Sequence, residues 1–245
     1  MAKDTINLGT GKISTLLFKL SMPAIIAQLV NLLYNIVDRI YIGRMPSGEI
    51  AMAGIGVAFP VIIIVSAFSS LVGMGGAPLA AIKMGEGNDD GAEHILTNSF
   101  SLLILISIVL TSLVLIFKEP ILWAFGASAT TIGYSLDYLN IYILGTISVQ
   151  MALGMNPYIN TQGFAKVGMT TVIVGAITNI VLDPIFIFGF KMGVKGAALA
   201  TVIAQTVSAI WVLTFLFKNS KLKIKRKYLK PKWDIVKKTL ALGVS

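Results

Sequence analysis

Apolar residues in this chain come in long uninterrupted blocks. Ile50 to Ile82 contains no charged residue, and neither does Ile95 to Phe117. Each block is longer than the ~18 to 20 residues that carry a helix across about 30 Å of hydrocarbon. Comparable blocks run from about Leu16 to Ile42, Ile132 to Asn156, Val167 to Phe190 and Ala197 to Phe217. The pattern therefore predicts six membrane-spanning helices. Strands of a membrane β-barrel would be ~10 residues long with apolar and polar positions alternating, which none of the blocks shows. The expected fold class is an all-α polytopic membrane protein, a six-transmembrane-helix bundle.

The polar positions inside these blocks carry the candidate chemistry. Asp183 lies within Thr178-Asn179-Ile180-Val181-Leu182-Asp183-Pro184-Ile185-Phe186-Ile187-Phe188, a segment otherwise apolar enough for a bilayer. A charge at the centre of a membrane helix costs roughly 2.5 to 3.5 kcal/mol on insertion scales, so such a residue faces a cavity or a partner. Asn179 stands one turn earlier on the same face. Pro184 removes a backbone donor and frees the carbonyl about one turn back, near Ile180.

In the first block Gln28, Asn31, Asn35 and Asp38 recur at helical spacing and form one polar stripe, with Tyr34 at its edge. Two placements compete for Asp38, the water interface beside Arg39 or a cavity. An interface placement leaves the stripe unexplained, so a cavity is expected. Tyr138, Tyr142, Thr146 and Gln150 form a similar series in the fourth block, followed by Asn156, and Thr201, Gln205 and Ser208 one in the sixth. Hydroxyls and amides of this kind serve equally as interhelical glue, worth about 0.6 kcal/mol each in membrane helices.

A cation site made of Asp38 and Asp183, with neutral oxygens from Asn179 and Thr201, suits two ions. Sodium would bind with both carboxylates ionised. A proton would be held by whichever carboxyl burial or the adjacent like charge keeps neutral. The residues alone do not choose between them. Phe59, Phe68, Met74, Tyr138 and Tyr142 are available to line a pocket for lipophilic organic cations, and equally available to face lipid or neighbouring helices.

Composition agrees with this reading and narrows it. The 245 residues are 56% apolar and 13% charged, with a mean hydropathy of +0.83. There is no cysteine, so disulfides and thiolate metal sites are excluded, and the single histidine, His94, is expected on a solvated polar loop. No nucleophile–base arrangement points to an enzyme, and no cofactor is expected beyond a coupling ion.

The net charge of +9 concentrates in Lys218, Lys221, Lys223, Lys225, Arg226, Lys227, Lys230 and Lys232. Such a cluster invites a nucleic-acid reading. Its place directly after a membrane span instead marks a cytoplasmic loop drawn to anionic lipid, with no nucleic-acid partner. Lys3, Lys12 and Lys19 put the N-terminus on the same side, to which six spans would return the chain. The acid-rich stretch Lys83 to Glu93 is then a cytoplasmic loop as well. No cleavable signal is evident at the N-terminus, and the first helix is expected in the mature protein.

After the basic run, Trp233 to Ser245 begins a new amphipathic rise resembling the lead-in from Lys12 to Pro23. The expected organisation is a six-helix lobe over 1–217, a basic cytoplasmic linker over 218–234, and the start of a truncated seventh helix over 235–245. Repeated halves are common in transporters.

Taken in order, Met22-Pro23, Asn31-Leu32-Leu33-Tyr34-Asn35-Ile36-Val37-Asp38 leading to Ile42-Gly43, Asn160-Thr161-Gln162-Gly163, Asn179-Ile180-Val181-Leu182-Asp183-Pro184 and Gly193-Val194-Lys195-Gly196-Ala197-Ala198-Leu199-Ala200-Thr201 resemble the multidrug and toxic-compound extrusion (MATE) family of bacterial type. The resemblance covers nearly the whole chain. It implies one lobe of a twelve-helix, two-lobe antiporter that exports amphipathic, often cationic small molecules against sodium or proton entry. It also implies a cell-membrane location and a second, C-terminal lobe as partner. The family's cation cavity corresponds here to Asp38, Asn179 and Asp183, which would be the sodium ligands, with Tyr34, Asn156 and Thr201 around them. Gln28, Asn31, Asn35, Tyr138, Tyr142, Gln150 and Gln205 are the substrate-cavity candidates. A lipid-linked oligosaccharide flippase of the same superfamily and a non-transporting membrane scaffold or sensor are the alternatives.

Overall fold

The computed structural model describes residues 13–244, so Lys3, Lys12 and Ser245 lie outside the described residues. Among the described residues, six helices are long and apolar enough to cross a membrane. They are built from α1 (Ile13–Gly43), α2 (Gly48–Gly85), α3 (Asp89–Ala124), α4 (Ile132–Tyr142) with α5 (Thr146–Thr161), α6 (Ala165–Pro184) and α7 (Val194–Thr214), and α8 (Trp233–Val244) follows. The six expected spans are therefore present, and several run further than hydropathy alone predicts.

The start of α3 shows why. The Asn88 side chain accepts a hydrogen bond from the Gly91 backbone N–H at 2.8 Å and caps the helix. Asp89 and Asp90 then occupy its first turn, where carboxylates complement the helix dipole. The expected Lys83–Glu93 loop thus shrinks to a turn after α2, and Glu93 and His94 belong to α3. His94 is not a free surface side chain, because its ring stacks on Tyr228 with centroids 4.2 Å apart.

The fourth span is two helices joined by a 3-10 turn over Ile143–Gly145. Here α7 comes close: a Cβ at Gly145 would meet a Val202 methyl at 2.6 Å. Two other spans end in π-helical turns, Ile185–Gly189 after Pro184 and Phe215–Asn219 after α7. Pro184 cannot donate its share of the helical ladder, and the wider turn accommodates the loss.

Helix α2 is central, touching α3, α4, α5 and α8, while α7 bridges α5 and α6, and α1 lies mainly on α6. Two apolar clusters hold the bundle. One gathers Leu96, Leu103, Met155, Tyr158 and Leu216, the other Ile42, Val65, Leu122, Leu139 and Ile187. The outer surface carries exposed Ile108, Ile116, Phe117, Ile177 and Ile210, as lipid contact requires.

The basic run is not a free linker. Residues 220–232 form a strap held to α3 and α5 by their own backbone N–H groups. Leu222 donates to Gln162 Oε1 at 2.8 Å, Lys223 to Glu93 Oε1 at 3.2 Å and Lys225 to Thr97 Oγ1 at 3.1 Å. Lys221 pairs with Asp89, Lys225 with Glu93 and Lys227 with Asp90. The acids of α3 and the lysines of the strap thus meet. From there α8 begins at Trp233 and packs against α2, with a Cβ at Gly75 falling 2.0 Å from Thr239 O.

Candidate cation and substrate site

The two carboxyls converge. On α6 the buried face runs through Gly168, Thr171, Ala176, Asn179 and Asp183, which brings Asp183 to the α1 and α7 side of the bundle. Asp183 is fully buried and Asn179 is 1% exposed. Asn179 Nδ2 donates to Asp183 Oδ1 at 3.2 Å and reaches Thr201 Oγ1 on α7 at 3.4 Å. From α1, the carboxyl of Asp38 comes close enough to Asp183 to share a hydrogen bond with it.

Two adjacent carboxyls cannot both stay ionised and unpartnered away from water. They need a proton between them or a cation against them. The hydrogen-bond pattern points the same way. Asp38 Oδ1, Asp183 Oδ2 and Asn179 Oδ1 are buried without a hydrogen-bond partner. Native structures satisfy such atoms almost always, so these acceptors call for a hydrogen-bond donor, a proton or a cation. Oxygen donors alone suit a hard cation or a proton.

Two cavities flank this point. The smaller, about 300 Å³, is lined by Gln28, Asn31, Tyr34, Asn156, Asn179, Thr201 and Gln205, together with Asn160, Thr171 and Ser208. Asn156 is held by α6, donating to Gly168 O at 3.2 Å, and its Oδ1 is a further unpartnered acceptor. The larger, about 680 Å³, holds Asn31, Tyr34, Asn35, Asp38, Tyr138, Tyr142, Thr201 and Gln205, with Arg39, Phe59 and Ser66 beside them. Tyr138 and Tyr142 stack at 5.8 Å with an interplanar angle of 19°. That volume lies within the range of small-molecule sites.

The polar stripe of α1 thus lines both cavities, as its periodicity predicts. Gln150 does not. It is fully buried between α5 and α2, accepting from Ser69 Oγ at 2.9 Å and donating to Val65 O at 3.2 Å, so it is interhelical glue. It departs from its stripe because the 3-10 turn at Ile143–Gly145 shifts the face that α5 presents. Phe68 and Met74 lie exposed outside the cavities described here, whereas Phe59 lines the larger one.

Asn160, Ser66 and Arg39 were not expected at the cavities. Asn160 stands one turn beyond Asn156 and continues its face, a signal the spacing contains. Ser66 had no such signal, since a lone serine in a long apolar block points nowhere without its neighbours.

The fold is that of a six-span helical membrane bundle. The chain belongs to the MatE family, whose model matches residues 23–185. It is similar to the multidrug export protein MepA of Staphylococcus haemolyticus, 26% identical over 225 residues that cover 91% of this chain and 50% of that protein. It matches MepA of Staphylococcus aureus to the same degree, 26% identical over 227 residues.

Among solved structures, it resembles the outward-facing conformation of a multidrug resistance MATE family transporter of the MOP superfamily, with a TM-score of 0.88 at 26% identity. That match covers 96% of this chain and 52% of the other. A MOP superfamily transporter from Pyrococcus furiosus, described as having a binding pocket of reversed polarity, matches with a TM-score of 0.87 at 26% identity over the same shares. The chain spans about half the length of the curated relatives it matches.

Proposed function

We propose that this chain is the ion-coupling lobe of a multidrug exporter and that it works with a second lobe. Asp38 and Asp183 bind the coupling ion, sodium or a proton, with Asn179 and Thr201 completing the oxygen set and Tyr34 and Asn156 lining the approach. The observation that carries this reading is the convergence of two carboxyls from α1 and α6 with three unpartnered, buried oxygens.

Ion binding at this point acts on packing. With the pair ionised and empty, repulsion favours separating α1 from α6; with a proton or a cation in place, the two helices close on it. Asp38 faces the larger cavity, so the same charge change alters how that cavity holds a cationic or dipolar compound. A cation entering would weaken the hold on the compound, which is the exchange an antiporter needs. The compounds expected are amphipathic small molecules that rest on the Tyr138–Tyr142 stack. The N-terminus and the 218–232 segment are assigned to the cytoplasmic side.

The test is cation-driven efflux of an amphipathic dye from vesicles containing the protein, with and without Asp183→Asn. Loss of gradient-driven efflux in a variant that keeps its helical content and lipid insertion is the expected result. Undiminished coupled efflux would overturn the assignment.

A further inference from the structure

A third cavity, about 450 Å³, lies between α1 and the turn from α5 to α6. Its walls include Leu20 and Pro23 of α1, Ala81 of α2, and Thr161 and Ala165. Thr161 is the last residue of α5, Ala165 the first of α6, and Ala81 lies one turn before the end of α2. The cavity therefore sits at the end of the bundle that carries the strap, where Gln162 accepts the Leu222 N–H. On its inner side it meets the cavity of about 300 Å³ beside Asn179, and the two share Ala24 and Ala27 on α1 and Asn156 and Asn160 on α5. With the larger cavity, the three follow one another along α1 from Leu20 through Asn31 to Ile42.

The shared residues form a neck with one polar wall. Asn156 and Asn160 stand one turn apart and meet α6 at Gly168, where a Cβ would fall 2.1 Å from Asn160 Oδ1 and 3.1 Å from Asn156 Oδ1. Glycine at that position lets two amide oxygens gather at one point. Asn160 is exposed, and Asn156 stands one turn deeper. The Asn156 amide is fixed because its Nδ2 donates to Gly168 O at 3.2 Å, while its Oδ1 is buried with no partner. Interhelical glue would leave no such acceptor unused. The opposite wall, Ala24 and Ala27, carries methyl groups only and leaves room for water, which supplies the missing donor.

We propose that the two joined cavities are a hydrated path along which the coupling ion passes between the carboxyl pair and the strap end, with the Asn156 and Asn160 oxygens as its relay at the neck. The inference rests on the ion-coupling reading and adds a route to it. Uncharged amide oxygens suit an ion in passage, because they replace part of its water and hold it less tightly than a carboxylate does. A hydrated sodium ion and a proton carried on water use the same oxygens. Asn179 lines the inner cavity and hands the ion on, and Asp38 lines the larger cavity toward the other end. The carboxyl pair thus stands between two routes.

The chain contains no cysteine, so single cysteines report the path cleanly. Met169 lines the outer cavity and Val172 the inner one, three residues apart on α6 and on either side of the neck. Met169→Cys and Val172→Cys are exposed to the impermeant cation trimethylammonium ethyl methanethiosulfonate in sealed vesicles whose strap faces outward, an orientation read by protease cutting over 221–232. Both cysteines are expected to react. Asn160→Leu or Ala27→Leu, plugs from opposite walls of the neck so that a folding failure of one leaves the other, should slow Val172→Cys by about tenfold or more, a barrier of about 1.4 kcal/mol. Met169→Cys should keep its rate. An unreactive Met169→Cys, an unreactive Val172→Cys beside a reactive Met169→Cys, or a Val172→Cys rate that a folded plug leaves unchanged would each overturn the proposal. With the path present, protection of Val172→Cys by sodium but not by choline shows that it carries sodium, and equal rates in both show that it carries the proton. Labelling does not depend on transport, so the two readings separate. The expected labelling together with coupled efflux that survives Asp183→Asn sinks the ion-coupling reading and leaves a hydrated path, whereas coupled efflux lost in Asp183→Asn with no labelling beyond the neck sinks the path alone.

Discussion

Asn179 Nδ2 donates to Asp183 Oδ1 one turn along α6, at 3.2 Å, and leaves Asp183 Oδ2 buried with no protein partner. One oxygen of the carboxyl is thus anchored while the other is left without a protein donor. On the proposed reading, Asp183→Asn and Asp38→Asn each remove one of the two charges that would hold the ion. The expected outcome is a loss of coupled efflux of tenfold or more, the factor that corresponds to about 1.4 kcal/mol of ion-binding energy. Efflux from vesicles at a fixed ion gradient measures it. Asn179→Leu leaves both carboxyls in place but removes the anchor, and a smaller loss is expected from it than from Asp183→Asn.

Gln150 ties α5 to α2 through Ser69 and Val65 and lies outside both cavities that flank the two carboxyls. Gln150→Leu should destabilise the bundle by about 1 to 3 kcal/mol, because the Ser69 hydroxyl loses its side-chain acceptor in a buried setting. Ligand affinity should be unchanged. A thermal melt in detergent, paired with a dye-binding titration, reads both quantities, and weakened binding without a shift in melting would contradict the assignment of Gln150 to packing.

Gly75 and Gly243 let α2 and α8 approach until backbone meets backbone. A Cβ at Gly75 would lie 2.0 Å from Thr239 O, and one at Gly243 would lie 2.0 Å from Leu71 O. Neither obstacle is a side chain able to swing aside, so Gly75→Leu must push α8 off α2. We expect a cost of about 1 to 3 kcal/mol, seen as faster hydrogen exchange of the α8 amides with exchange in α3 unaffected.

Glu93 is 7% exposed, accepts the Lys223 N–H at 3.2 Å and pairs with Lys225. Glu93→Ala removes the acceptor of the Lys223 N–H and the partner of Lys225 and should release the strap, giving faster hydrogen exchange and protease cutting over 221–232. The exposed pairs Lys221–Asp89 and Lys227–Asp90 are worth much less and should weaken in high salt. Hydrogen bonding to Tyr228 and Asp90 holds the Lys227 ammonium above the usual lysine range. Its contribution is therefore complete at every pH below the ordinary lysine value and is lost as pH rises through the elevated one. Alkaline titration of strap exchange should show no change near neutrality.

The spans and the stripe of α1 were legible because lipid imposes a long, uniform apolar requirement and a helix repeats its faces at fixed spacing. Asp183 could be singled out in the same way, since the cost of a carboxyl in hydrocarbon is a local quantity. The true start of α3 was less visible. Hydropathy stops at Ile95, but a cap at Asn88 and the dipole extend the helix through polar residues that no apolar pattern includes.

Sequence alone determined that the chain is a six-span helical membrane protein and that Asp38, Asn179 and Asp183 are its costly polar residues. Both follow from energies that depend on each residue and its near neighbours. Tertiary structure decided the approach of Asp38 to Asp183, the conversion of Gln150 from cavity residue to glue, and the clasp of the basic strap on the acids of α3. Each of these depends on which face of one helix meets another. That is set by packing and by a single 3-10 or π turn, and such a turn redirects every side chain beyond it.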